Sequence, residues 1–141
     1  MIFVIKARAV IFWILIGVST ISHGDVVVIV HPNNSSVFDN IAISQLFLGQ
    51  LSSFPGGGKA IPVALKRGND TRISFNQLAL RKSENQYKAF WSRLVFTGKA
   101  SPPQELENSE AIKDLVANNP ALIGYIDSDS ADDSVKVVGA F

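Results

Sequence analysis

The sequence predicts an α/β domain with a mixed, mostly parallel sheet that helices flank. One observation is that short, strongly apolar runs alternate along the chain with segments of helical periodicity. Another is that the run "DVVVIVH", from Asp25 to His31, holds five consecutive β-branched residues. A strand that is apolar on both faces is typical of a central strand with helices on both sides.

The first 24 residues have the features of a secretory signal. Lys6 and Arg8 form a short basic region, and the apolar run from Ala9 to Ile21 follows them. Ser22 and Gly24 provide the small residues that a signal peptidase requires, so we place cleavage after Gly24. An uncleaved membrane anchor is the alternative, although the run is shorter than the roughly 20 residues of a spanning helix. The predicted division is 1–24 signal peptide and 25–141 mature, exported domain.

The elements of the mature chain follow from local patterns. Ile41–Leu48 is predicted as a short helix that Gly49 ends, and Ala60–Leu65 as a second buried strand with Pro62 near its start. Another helix is expected over Thr71–Arg81. The loop "SSFPGGGK" separates the first two of these elements.

The strongest helical pattern lies in the middle of the chain. Five apolar residues occur at positions i, i+3, i+4, i+7 and i+8, namely Tyr87, Phe90, Trp91, Leu94 and Val95. Ser83 followed by Gln86 predicts a capping box at the start of this helix. We therefore expect Trp91 to be a core residue.

The last part of the chain is predicted as a loop, a helix and two strands. The loop is "FTGKASPPQ", and the helix is Ser109–Asn118. The strands are Leu122–Ile126 and Val135–Val138, and the acidic turn "DSDSADD" separates them.

Composition and motifs argue against several functions. Without Lys6 and Arg8 the 13 basic residues become 11 against 12 acidic ones, a net charge of −1, which disfavours nucleic-acid binding. The chain has no cysteine, and His31 is the one histidine after the signal, so a transition-metal site is not expected. The acidic turn lacks the glycine and glutamate of an EF-hand loop. No nucleophile elbow, P-loop or dinucleotide motif is present, so we predict no enzyme, catalytic residue, metal or cofactor.

The stretch "KRGNDTR" is the candidate ligand site. It joins the end of a predicted strand to the start of a predicted helix, where ligands of open α/β sheets collect. Helix N-terminal N–H groups attract anions. The residues concerned are Arg67, Gly68, Asn69, Asp70, Thr71 and Arg72. A simpler interpretation is that Asn69 or Asp70 only caps the helix.

Three stretches of the chain resemble one lobe of the periplasmic phosphate-binding proteins of ABC uptake systems. They are "SQLFLGQLSSFPGGGKAIPVALKRGNDTRISF", "FWSRLVFTGKASPP" and "NNPALIGYI". The resemblance covers about residues 26–127 and implies a single-lobe, type II periplasmic-binding-protein-like domain.

The resemblance also implies an anion turn, which in the family reads Gly-Ser-Gly-Thr after an upstream arginine. Gly68 and Thr71 match this turn, whereas Asn69 replaces the serine and Asp70 the second glycine. The family's upstream arginine aligns best with Leu65, although Arg67 could reach the same place. The implied ligand is phosphate or another small oxyanion, bound weakly as an accessory to uptake or sensing. The alternative is a ligand-free interaction module that docks an envelope or membrane protein.

Overall fold

The computed structural model describes residues 25–141, so the predicted signal segment lies outside the described residues. A five-stranded sheet has the strand order β3-β2-β4-β1-β5. The strands are β1 (Val26–Val30), β2 (Ile61–Leu65), β3 (Gln104–Leu106), β4 (Leu122–Asp127) and β5 (Lys136–Ala140). The helices are α1 (Asn40–Phe47), α2 (Asp70–Leu78), α3 (Glu84–Phe96) and α4 (Ser109–Ala117).

The sheet is mixed, and four of its five strands run in the same direction. β2 pairs in parallel with both β3 and β4. β1 pairs antiparallel with β4 on one side and β5 on the other. The single reversed strand, β1, is therefore an interior strand, and the prediction of a mostly parallel mixed sheet is confirmed.

Helices cover both faces of the sheet, which explains why all five residues of β1 are buried. Gly124 in β4 faces α4, and a Cβ there would lie 2.6 Å from the Ile112 side chain and 3.1 Å from that of Val63. The next residue, Tyr125, points to the opposite face because successive strand side chains alternate. There its ring stacks on Phe75 of α2, with centroids 3.9 Å apart.

The helices begin at the side chains that the sequence favours as caps. Ser83 Oγ accepts the backbone N–H of Gln86, and Gln86 Oε1 accepts the backbone N–H of Ser83. The predicted capping box is therefore confirmed. Trp91 is 5% exposed, as expected for a core residue. Val95 is 52% exposed, so the prediction that the apolar stripe continues inward to the end of α3 is wrong.

The main error in the predicted elements is β3. Gln104 was assigned to a loop, but it opens a three-residue strand that pairs with Val63–Leu65. Two of the three residues are polar and exposed, so the strand carries no apolar signal of its own. Its pairing depends on the neighbouring strand β2, which is a tertiary effect.

The first strand ends in a local turn at His31. The Nδ1 atom of His31 accepts the N–H of Asn33 at 3.1 Å.

Among residues 25–141, no helix combines the length and apolarity needed to cross a bilayer.

Candidate functional site

The turn between β2 and α2 lies at the edge of the sheet where β2, β3 and β4 end, which we call the carboxyl edge. Gly68 has a φ of +88°, a conformation that side chains with a Cβ rarely adopt. Asn69 is the N-cap of α2, and its Oδ1 accepts the N–H groups of Thr71 at 2.9 Å and of Arg72 at 3.4 Å. Two donors that could bind an anion are therefore already satisfied by a side chain of the chain itself.

An acidic depression opens beside the start of α2 and has a volume of about 390 Å³. Four carboxylates contribute to its lining, together with the hydroxyl side chains Thr71, Ser74 and Ser128. The acidic residues are Asp25, Asp70, Asp127 and Asp129. A carboxylate about 4 Å from an anion repels it by about 4 kcal/mol at an effective dielectric constant of 20. The depression thus offers hydroxyl donors in a repulsive electrostatic environment.

The carboxylates converge because of the strand pairing. Val26 of β1 is the register partner of Asp127 at the end of β4, so Asp25 and Asp127 lie at the same edge. The Oδ1 atom of Asp127 accepts the N–H of Asp129 at 2.8 Å, which fixes the start of a short 3-10 turn. The sequence showed these residues as an acidic turn and a strand start, but not that they meet.

Arg72 points away from this depression and is 2% exposed. Its Nη1 donates to the Leu65 carbonyl at 3.0 Å and to Glu105 Oε1 at 2.7 Å. Its Nε donates to Glu84 Oε1 at 3.3 Å, and its guanidinium carbon lies 5.0 Å from the centre of the Tyr87 ring. Burial alone would lower the pKa of Arg72, but the hydrogen bonds to Glu105 and Glu84 raise it, so the guanidinium stays charged.

This arrangement makes Arg72 a structural link between α2, α3 and β3. Glu84 opens α3 and also accepts the Asn76 amide N–H at 2.6 Å. Burial raises the pKa of Tyr125, whose hydroxyl oxygen accepts the Leu65 N–H at 3.2 Å directly beneath the turn. The partners of Arg72 lie far from it in the sequence, and no motif identifies Glu84 and Glu105 as its ion-pair partners.

A second, more apolar groove runs along α3 and has a volume of about 480 Å³. Arg67 and Lys88 lie on its walls with Trp91, Val95 and Phe96. Phe96 is 92% exposed, which is unusual for a large aromatic side chain.

The structure therefore divides the six candidate residues among different places. Asp70 and Thr71 line the acidic depression, and Asn69 caps the helix above it. Arg67 and Arg72 line the α3 groove instead. As ligand-binding residues, all six stay a prediction.

No protein-family model matches the sequence, and no curated protein matches it. The solved structures that are similar to it include the following three. A putative phosphate ABC transporter substrate-binding protein with bound phosphate from Clostridium perfringens is 26% identical, with a TM-score of 0.66 over 82% of this chain and 44% of the other. An ABC-type phosphate transport receptor from Vibrio cholerae is 20% identical, with a TM-score of 0.64 over 82% of this chain and 45% of the other.

The third structure is PstS from Borrelia burgdorferi, 11% identical, with a TM-score of 0.62 over 83% of this chain and 47% of the other. The chain has the fold of one lobe of these proteins. It spans under half the length of each, and the expected resemblance to one lobe of a phosphate-binding protein is confirmed.

Proposed function

We propose that the chain is a solute-binding-protein-like domain that binds phosphate or another small oxyanion weakly at the start of α2, as an accessory to ABC uptake or sensing. The observation that carries the proposal is the placement of a helix N-terminus and the Thr71 hydroxyl at the carboxyl edge of this fold. The likeness to a protein with bound phosphate supports the same ligand class. No catalytic role is proposed.

Weak binding follows from the contacts of the turn. The Asn69 side chain already uses the N–H groups of Thr71 and Arg72. Asp70 and the other three carboxylates repel a phosphate in the depression. Arg72 cannot offset this repulsion, because its guanidinium already donates to Glu84, Glu105 and a backbone carbonyl.

A second candidate function is an interaction module that docks an envelope or membrane protein. The specific observation in its favour is the α3 groove, where Phe96 and Val95 are 92% and 52% exposed. Exposed apolar surface next to Arg67 and Lys88 is suited to protein contact. For either function, the signal-like first 24 residues support a proposed periplasmic location after cleavage at Gly24.

A nuclear magnetic resonance titration of the ¹⁵N-labelled chain with phosphate tests the first function. Weak binding at α2 predicts saturable amide shifts centred on Thr71 and Ser74. The Thr71→Val variant keeps the side-chain shape and should weaken these shifts, whereas Thr97→Val, at the end of α3, should not. If no saturable shift occurs at α2, the chain does not bind phosphate there, and the interaction module becomes the favoured function.

A further inference from the structure

A polar depression of about 360 Å³ lies at the opposite edge of the sheet from α2. The loop that follows β1 and the segments that precede β2 and β4 line it, including Asn33, Gly58 and Pro120. β2 and β4 are five and six residues long, so at about 3.3 Å per residue this depression lies roughly 15–20 Å from the acidic one. It is a separate place in the fold.

The glycine loop provides backbone donors on one side of the depression. Gly57 and Gly58 have φ values of +98° and +88°. Apart from the adjoining residues, no heavy atom of the described chain lies within 4 Å of a Cβ built on either, so the loop is open to a ligand there. The N–H groups of Gly56 and Gly57 donate to Ser36 Oγ and to the Phe54 carbonyl. Within residues 25–141, the N–H groups of Gly58 and Lys59 donate to no protein acceptor.

Ser36 forms the floor and supplies a further donor. It is 9% exposed, and its Oγ accepts the Gly56 N–H at 3.1 Å. Within the described part of the chain, the proton of this buried hydroxyl has no acceptor. The Ser36 hydroxyl can therefore donate its proton to an oxyanion in the depression. A Cβ at position 56 would lie 2.8 Å from Ser36 Oγ, so a glycine is needed for this close approach.

The charge of the depression is opposite to that at α2. Among residues 25–141, no carboxylate contributes to its lining, and Lys59 lies on its wall. Lys136, at the start of β5, adds a second positive charge next to it, since its Nζ donates to the Asn34 carbonyl at 2.9 Å. Two lysines and free N–H groups without nearby acids are suited to an anion.

Part of the remaining lining is apolar and suggests what the anion is attached to, whereas Asn33, Asn34 and Ser35 are polar. Phe54, Pro120 and Ala121 form one wall. The volume exceeds that of a bare phosphate ion and falls within the range of small-molecule sites. We propose that this depression binds the oxyanion of a small organic phosphate, with the phosphate on Lys59, Gly58 and Ser36 and the organic part against Phe54 and Pro120.

The test is a titration of the ¹⁵N-labelled full chain with phenyl phosphate and, separately, with inorganic phosphate. The proposal expects saturable shifts at Gly56, Gly58 and Lys59, with phenyl phosphate binding more tightly because its ring contacts the apolar wall. Lys59→Gln should weaken binding at least about tenfold, since a charge-assisted hydrogen bond is lost. Lys59→Arg should retain it.

Lys99→Gln is the matched control, because it removes the same charge from an exposed lysine outside the depression. If no amide of the loop shifts with either ligand, or if Lys59→Gln and Lys99→Gln have equal effects, the site does not exist. Shifts at Thr71 report the proposed α2 site in the same spectra. The two proposals can thus fail independently.

Discussion

Replacement of Arg72 by methionine tests whether this residue is a structural link and not an anion ligand. Methionine keeps a long apolar side chain in the buried position but removes the guanidinium. Three hydrogen bonds are lost, to the Leu65 carbonyl, Glu84 and Glu105. The two carboxylates that remain are 27% and 48% exposed, so both can partly rehydrate.

The expected destabilisation can be estimated from these contacts. The bond to the buried Leu65 carbonyl involves a charged donor and contributes about 1.5–3 kcal/mol. The pair with Glu105 is half exposed and is discounted for solvent screening to about 1 kcal/mol or less. Glu84 is less exposed, and its 3.3 Å contact contributes about 1 kcal/mol. Because methionine recovers part of the packing, we expect a net loss of about 3 kcal/mol.

Urea unfolding at pH 7, followed by circular dichroism, measures this loss. Arg67→Met is the matched control, since Arg67 is an exposed arginine five positions earlier and should cost less than about 0.5 kcal/mol. Equal stability of the two variants would refute the structural role of Arg72. A loss of phosphate binding in a fully stable Arg72→Met protein would instead make it a ligand residue.

Three further predictions concern the core and the acidic turn. Trp91→Ala should lower the free energy of unfolding by about 3–5 kcal/mol, because Trp91 is 5% exposed; a loss below about 1 kcal/mol would contradict its core position. Gly124→Ala should cost about 1–3 kcal/mol, because the added Cβ would lie 2.6 Å from the Ile112 side chain in a packed layer; an unchanged urea midpoint would contradict this packing. A hydrogen bond from Ser134 and the charge of Lys113 lower the pKa of Asp132 from 3.8 to about 2, so its contribution to stability should be present above pH 4 and be lost as the pH falls towards 2. Asp132→Asn should flatten the pH dependence of the urea midpoint in that window, and an unchanged slope would exclude the contribution.

Local signals in the sequence predicted most of the elements. The β-branched run of β1, the capping box of α3 and Gly49 after α1 each act within a few residues, so no tertiary information was needed. β3 was missed because its pairing with β2 provides the stabilisation that its own polar residues do not. The exposed end of α3 was missed because periodicity shows which residues share a face, but not where the covering layer ends.

The candidate site shows the same division between local and tertiary information. The cap formed by Asn69 is a local effect, and the sequence offered it as an alternative to anion binding. The approach of Asp25 to Asp127 depends on the antiparallel pairing of β1 with β4, which sequence spacing does not show. The burial of Arg72 depends on glutamates 12 and 33 residues further along the chain.

The most direct test of weak anion binding at the start of α2 is calorimetry. The wild-type chain and the Asn69→Ser, Asp70→Gly double variant are each titrated with phosphate. The variant removes the carboxylate nearest the helix start and introduces the hydroxyl and the second glycine that the resemblance to phosphate-binding proteins implies. We expect the wild type to bind weakly and the variant to bind at least about tenfold more tightly. Circular dichroism must show that the variant is folded, because about 1 kcal/mol of helix capping is at risk. A folded variant that binds no better than wild type, or a wild type that already binds tightly, would contradict the proposal that Asn69 and Asp70 weaken anion binding at α2.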